Sequence, residues 1–144
     1  MNISSPAFEN GAPIPIEYTG TGENILPPLV FSDVPENAKS LAIILDDPGV
    51  PLITFVHWTV WNVPSDTMEI SEGENITYPQ GRNSLRKQGY LGTCPPFGKH
   101  EYFFKLYALD TLLDLDPGVP KKKLEKAMSG HILAEAQLTC TFHK

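Results

Sequence analysis

Cysteine is nearly missing from this sequence: Cys94 and Cys140 are the only two in 144 residues. Two thiols cannot supply the disulfide framework on which small secreted domains depend, and in a chain of this length they fit a reducing cytosol. Long apolar runs are missing too, since no stretch approaches the ~20 residues that a membrane-spanning helix needs. The opening Met1-Asn2-Ile3-Ser4-Ser5-Pro6 carries neither the basic nor the apolar block of a signal peptide. The expectation is a soluble, cytoplasmic protein in which the sequons at Asn2 and Asn75 are chance matches, because glycosylation requires the secretory route. Positive charge is also in short supply. Eleven Lys and Arg against 17 Asp and Glu give a formal net charge of -6 and a pI near 5.1. That balance argues against nucleic acid and against an anionic bilayer as the main partner, since both need a basic footprint. Repeats, low-complexity segments and linkers are absent as well, so residues 1–144 are expected to form one domain with its own core.

What the chain has instead is punctuation. Fourteen prolines and 11 glycines are spread along it, the pattern of many short elements joined by stiff turns, and an all-β fold is favoured. Residues 14–19 alternate in the strand period, with Pro15 confining them to an edge or a strand start. Gly20-Thr21-Gly22 then turns the chain; with no helix after it, it is no dinucleotide motif. Leu29 to Phe31 reads as a short strand. Ser40 to Leu45 is a continuous apolar run, the mark of a strand buried on both faces, and it ends abruptly in Asp46-Asp47-Pro48-Gly49. Phe55 to Val63 is rich in aromatic and β-branched residues. Strict alternation would put Phe55, His57, Thr59 and Trp61 on one face and Val56, Trp58, Val60 and Asn62 on the other.

From Pro64 to Gln88 the chain is polar and turn-rich, with a strand-like trace only at Met68 to Ile70. A structureless loop this long is uncommon, so the excursion must be pinned by packing. Glu101 to Asp110 reads as a strand largely buried on both faces, Lys105 excepted. Pro120 to Ser129 reads as a short amphipathic helix with Gly130 as its stop, which makes Lys121, Lys122 and Lys123 a solvated face. Residues 132–142 have fair helix propensity at first, but the period of two persists to Phe142 and predicts a strand. The architecture expected is an antiparallel β-sandwich with one or two short helices.

Chemistry-bearing residues gather where these strands end. Asp47 follows the apolar strand and His57 opens the next one. Gly89 to Tyr102, with two close glycines and the Pro95-Pro96 pair, is a loop of restricted shape that delivers His100 and Tyr102 into a strand. Taken alone, that loop is a tight connection with a satisfied histidine. If the three strand ends meet, an aspartate faces two imidazoles and a phenol beside a glycine-rich loop. Imidazolium and phenol donors, with loop N–H groups completing a nest, suit a small anion. Asp47 would orient one imidazole and raise its pKa. Asp46 should point to the opposite side.

The spaced motifs Asp47-Pro48-x-x-Pro51, His57-Trp58, Gly89-Tyr90-x-Gly92-x-x-Pro95-Pro96-x-Gly98-x-His100-x-Tyr102 and Gly130-His131-Ile132-Leu133-Ala134 resemble the phosphatidylethanolamine-binding protein family. Within it they resemble the short bacterial and archaeal Raf-kinase-inhibitor-like branch. The resemblance spans nearly the whole chain. It implies a Greek-key β-sandwich with a small pocket for phosphate, phosphoryl head groups or carboxylates. It also implies ligand-binding roles for Asp47, Pro51, His57, Gly92, Thr93, Cys94, Pro95, Pro96, His100 and Tyr102, and a cis Val50–Pro51 bond. Two departures stand out: the family's usual second acid is Gly49 here, and Thr93 stands where the loop commonly has proline. Both should ease anion entry.

The function expected is therefore a binding or regulatory protein for a small anionic or phosphorylated ligand, acting on a kinase or protease partner or on neither. No catalytic residue, metal or cofactor is assigned. The alternative is a phosphoester or ester hydrolase using Asp47 with His57 or His100, for which Cys94 is the best available nucleophile. A zinc site built from Asp47, His57 and His100 is a third reading. A homodimer is the default assembly, with the Pro64 to Gln88 excursion as the place for its interface.

Overall fold

In the computed structural model, residues 1–49, 53–93 and 98–143 are described. Their seven strands are β1 (Asn2–Ser4), β2 (Leu29–Ser32), β3 (Ser40–Asp47), β4 (Phe55–Pro64), β5 (Glu69–Ile70), β6 (Lys99–Leu109) and β7 (Ile132–His143), with one helix, α1 (Lys121–Met128). They form an antiparallel β-sandwich. One sheet has the order β1-β2-β5 and the other β4-β3-β6-β7. The expected fold class is met.

Between the sheets lies the main core. Ile3, Leu29, Phe31 and Ile70 of the small sheet pack against Leu41, Ile43, Leu45, Trp58, Val60, Phe104, Leu106 and Leu138 of the large one. Each such aliphatic or aromatic side chain contributes about 1.5–3 kcal/mol when fully buried. β3 is buried along its entire length because its other face is covered as well. There Ala42 and Ile44 meet Trp61, Leu109, Leu113 and, from α1, Leu124 and Met128. β6 is less hidden than expected. Tyr102, Phe104, Leu106 and Ala108 are buried while Phe103, Lys105 and Tyr107 are half-buried; the cluster under α1 takes in Leu109 and the side of Tyr107 but not Phe103 or Lys105.

The expected strand over residues 14–19 is not formed. Residues Ile16–Tyr18 make a single 3-10 turn, closed by Thr19, whose N–H and hydroxyl both donate to the Ile16 carbonyl. Ile14 and Tyr18 are buried but Ile16 is 57% exposed. Pro15 removes the donor a ladder would need there, so the apolar alternation marks a packed turn. The strand over residues 132–142 and the helix are found where expected, the helix capped by Pro120 and Ser129 with Gly130 at φ +81.

β4 departs twice from strict alternation, each time through a bulge against β3. Near its end Asn62 adopts φ +53, and Val63 rather than Asn62 enters the main core. The Asn62 amide is held from both sides by Leu113, donating to its carbonyl at 2.9 Å and accepting from its N–H at 2.8 Å. The second bulge, at His57, builds the candidate site. The Pro64 to Gln88 excursion is pinned, as its length required. β5 pairs with β2, Pro79 and Gly81 bond to the outer edge of β4, and Arg82 bridges to Pro120.

Candidate functional site

In β3–β4 pairing, Leu45 faces Trp58 and Asp46 faces Val56, leaving His57 as the extra residue. A bulge re-aims a side chain that alternation would send elsewhere. Trp58 remains in the core, yet the His57 ring lies 5.3 Å from that of Tyr102, edge-on, and 4.8 Å from Phe55. His57 and Trp58 therefore do not occupy opposite faces, as alternation implied. β3 also pairs with β6, Asp46 facing Phe103, so Asp47 lies at the level of Tyr102. Beyond it, His100 donates from Nδ1 to Asp47 Oδ2 at 2.7 Å, and its ring stacks on Tyr102 at 6.5 Å. Asp47, His57, His100 and Tyr102 are thus brought together at one end of the large sheet, Tyr102 lying between the two imidazoles.

Asp47 is almost wholly buried, which an unpaired carboxylate would not tolerate. The second oxygen, Oδ1, accepts the Gly49 N–H at 2.8 Å. A Cβ at Gly49 would stand 3.1 Å from that oxygen and 3.8 Å from His100 Nδ1. An acidic side chain at this position would therefore sit beside the Asp47–His100 pair, and glycine adds no negative charge there. Asp46, as expected, serves the other face. There it is fully buried between Lys121 at 2.8 Å and Lys105 at 3.1 Å. Lys121 is accordingly a buried-pair partner and not part of a solvated face; Lys122 and Lys123 are exposed.

His57 is fastened to the loop in front of it. Its Nδ1 lies 2.9 Å from the Leu91 carbonyl, and the Leu91 N–H returns to the His57 carbonyl at 3.0 Å. Burial lowers the imidazole pKa below its ordinary value, outweighing the Leu91 carbonyl and the field of Asp47, which act the other way. The upward shift expected from Asp47 is therefore overridden at this histidine.

Sequence reasoning missed what holds the loop. Gly92 donates its N–H to Asn24 Oδ1 at 2.6 Å, Tyr90 donates its hydroxyl to the Tyr18 carbonyl at 2.6 Å, and Thr93 bridges to Thr19 while accepting the Gly20 N–H. A Cβ at Gly92 would meet Asn24 Oδ1 at 2.4 Å and the Tyr18 carbonyl oxygen at 2.6 Å. Gly92 is thus required for close approach. The loop N–H groups expected to form an anion nest are engaged elsewhere at Leu91 and Gly92. Thr93 is fully buried; its hydroxyl has no hydrogen-bond partner among the described residues. The signal for Asn24 was its residue type beside a turn: asparagine tolerates the φ of +60 it adopts. Pro51, Cys94, Pro95, Pro96 and the Val50–Pro51 bond lie outside the described residues. Cys140 is a free, buried thiol that burial pushes up to about 12. Among the described residues no cluster of three His, Cys, Asp or Glu is arranged to hold a metal, and no helix is long and apolar enough to cross a membrane.

A β-sandwich whose strand ends present an aspartate, two histidines and a tyrosine is the arrangement that the motifs implied. The phosphatidylethanolamine-binding protein family model matches residues 4–143, and the chain belongs to that family. Among its relatives, a UPF0098 protein of Methanothermobacter thermautotrophicus is 47% identical over 144 residues, covering 96% of this chain and 95% of that one. A UPF0098 protein of Chlamydia trachomatis is 44% identical over 149 residues, covering 100% and 99%. The crystal structure of a phosphatidylethanolamine-binding protein homologue, CT736 of Chlamydia trachomatis, superposes with a TM-score of 0.95 at 44% identity, over 99% of this chain and 97% of that one. E. coli YbcL, described as a member of the mammalian family, gives 0.92 at 28% identity, over 99% and 98%.

Proposed function

We propose that this protein captures a small oxyanion, a phosphoryl group or a carboxylate, between His57, His100 and Tyr102, without turning it over. The observation that carries the reading is the commitment of both imidazoles through Nδ1, His57 to the Leu91 carbonyl and His100 to Asp47. A ring held in this way meets a ligand through Nε2. Facing a carbonyl, the neutral His57 ring carries its proton on Nδ1 and an unprotonated Nε2. To donate to an anion it must take up a second proton. Capture of an anion is then coupled to uptake of a proton at His57.

The hydrolase alternative needs a nucleophile; its candidate, Cys94, lies outside the described residues, and the buried Cys140 thiol is no substitute. Ligand capture is as far as the proposal goes; inhibition of a kinase or protease would depend on which protein carries the anion. Titration with sulfate and with phosphoethanolamine, followed by calorimetry and by the imidazole NMR resonances, tests it. Saturable binding that shifts both His57 and His100, and that His100→Ala weakens, is expected. Resonances that stay unmoved with every oxyanion would sink it, and phosphatase activity abolished by His100→Ala would replace it with the hydrolase.

A further inference from the structure

The charge of this acidic molecule is unevenly placed. Residues 82–87 and 121–126 carry seven of its eleven Lys and Arg and one of its 17 acidic residues, Glu125. These segments are joined through the Arg82–Pro120 bridge, in which the Arg82 N–H donates to the Val119 carbonyl at 2.9 Å. The first segment is a tight loop built on buried Asn83. That side chain accepts the Leu85 and Lys87 N–H groups and donates to the Gly89 carbonyl. Ser84 fastens the loop to the start of β4 through two hydrogen bonds with Val56. Arg86, at φ +63, is thereby held at an exposed tip.

Between loop and helix runs a groove of about 600 Å³, lined by Arg82, Arg86, Lys121, Lys122 and Glu125, with Ile53 at its side. Ile53 is 60% exposed and Leu85 56%. Of the basic groups only Lys121 is paired, to Asp46 and more distantly to Glu125. Among the described residues Arg82, Arg86, Lys87, Lys122, Lys123 and Lys126 have no ion-pair partner. The helix end aggravates the concentration of charge. α1 has no side-chain cap and no acidic residue in its first turn, so three lysines sit at the positive end of its dipole. In the free protein this arrangement is repulsive, and a negatively charged occupant of the groove relieves it.

We propose that this groove docks an acidic, extended peptide segment of a partner protein that carries an apolar side chain among its carboxylates. Charge complementarity selects the carboxylates and exposed Ile53, at the groove's side, receives the apolar residue. A nucleic acid fits less well, since the groove offers no aromatic side chain for stacking and the rest of the molecule, which holds 14 acidic residues besides the buried Asp46 and Asp47, repels a long polyanion. The groove lies on the opposite face of the β4 start from His57, so this docking is independent of the oxyanion pocket.

A fluorescein-labelled dodecapeptide of Glu and Asp with one central Leu is the probe, read by anisotropy at low and at physiological salt. Binding that weakens with salt is expected, with a further loss of about tenfold or more in Arg86→Glu/Lys122→Glu. Both side chains lie at the surface, and the double variant should keep its circular dichroism spectrum and its sulfate affinity at the pocket. Ile53→Ser should weaken the Leu peptide but not the same peptide with Leu replaced by Ser. The proposal is overturned if the peptide does not bind at low salt or if charge reversal leaves binding unchanged. It is overturned too if a single-stranded oligonucleotide of equal charge binds more tightly. Sedimentation revealing a dimer that the reversal disperses would likewise assign the groove to a second copy of this chain and overturn it.

Discussion

Sulfate affinity as a function of pH puts the proton-coupled pocket to its sharpest test. Sulfate remains a dianion from pH 5.5 to 8.5, so any pH dependence belongs to the protein. His57 is held in the Nδ1–H tautomer by the Leu91 carbonyl at 2.9 Å, and its pKa lies below 6.5 because it is buried. Above pH 6.5 the ring is neutral in the free protein, and donating to sulfate costs the uptake of one proton. Linkage then gives a tenfold loss of affinity per pH unit, so between pH 6.5 and 8.5 Kd should rise about 100-fold, or about 2.7 kcal/mol. Calorimetry in two buffers of different ionisation enthalpy should record close to one proton taken up at pH 7.5. The other charged groups around His57 are Asp47 and Asp46 on β3 and His100 on β6, and His100→Gln separates its share of the slope. His57→Gln, whose amide donates without a proton, should flatten the profile while leaving measurable binding. A Kd constant over this range with no proton uptake would refute the tautomer argument, as would an unaltered slope in His57→Gln.

The same histidine should mark stability. Its folded pKa is depressed, so the unfolded chain binds more protons than the folded one between that value and 6.5. Stability should rise with pH through this window and level off above it. Denaturant midpoints of the wild type and His57→Gln should converge above pH 7 and separate below 6. Gly92→Ala forces a Cβ onto Asn24 Oδ1 and the Tyr18 carbonyl and should cost about 2–4 kcal/mol, overpacking plus a lost hydrogen bond. It should also weaken sulfate binding, because the loop that fixes His57 moves. Asn62→Ala removes both bonds to Leu113 and leaves alanine at positive φ; about 2–3 kcal/mol in the denaturation midpoint is expected. Cys140, its thiol pushed up to about 12, should resist iodoacetamide at pH 8 in the native protein and react on unfolding.

The composition and hydrophobic periods of this chain were enough to read an all-β sandwich with one or two short helices, of which α1 is found. Those features follow from local chemistry: a strand's period is set by its own pleat, and Pro120 and Gly130 bound α1 through their own dihedral limits. Asp47, His57, His100 and Tyr102 could be picked out as candidates for the same reason, since each is a polar group at the end of an apolar or aromatic run. Their convergence was implied by the resemblance but was not legible from periodicity. It depends on the register of β3 against β4 and β6, and on a bulge at His57 that turns one imidazole through the face that alternation assigned it. A bulge is decided by the strand opposite and by the loop that docks on it, here the Leu91 backbone, far along the chain. Residues 14–19 failed for a related reason. Their alternation was real, but Pro15 and the Thr19 hydroxyl made a turn cheaper than a ladder. Tertiary structure also decided what each loop residue does. Gly92 proved to be a point of close approach to Asn24, and its N–H is engaged within the protein. Alternation alone put Asp46 and Asp47 on opposite faces; that lysines stand on one side and His100 on the other was decided by the elements packed there.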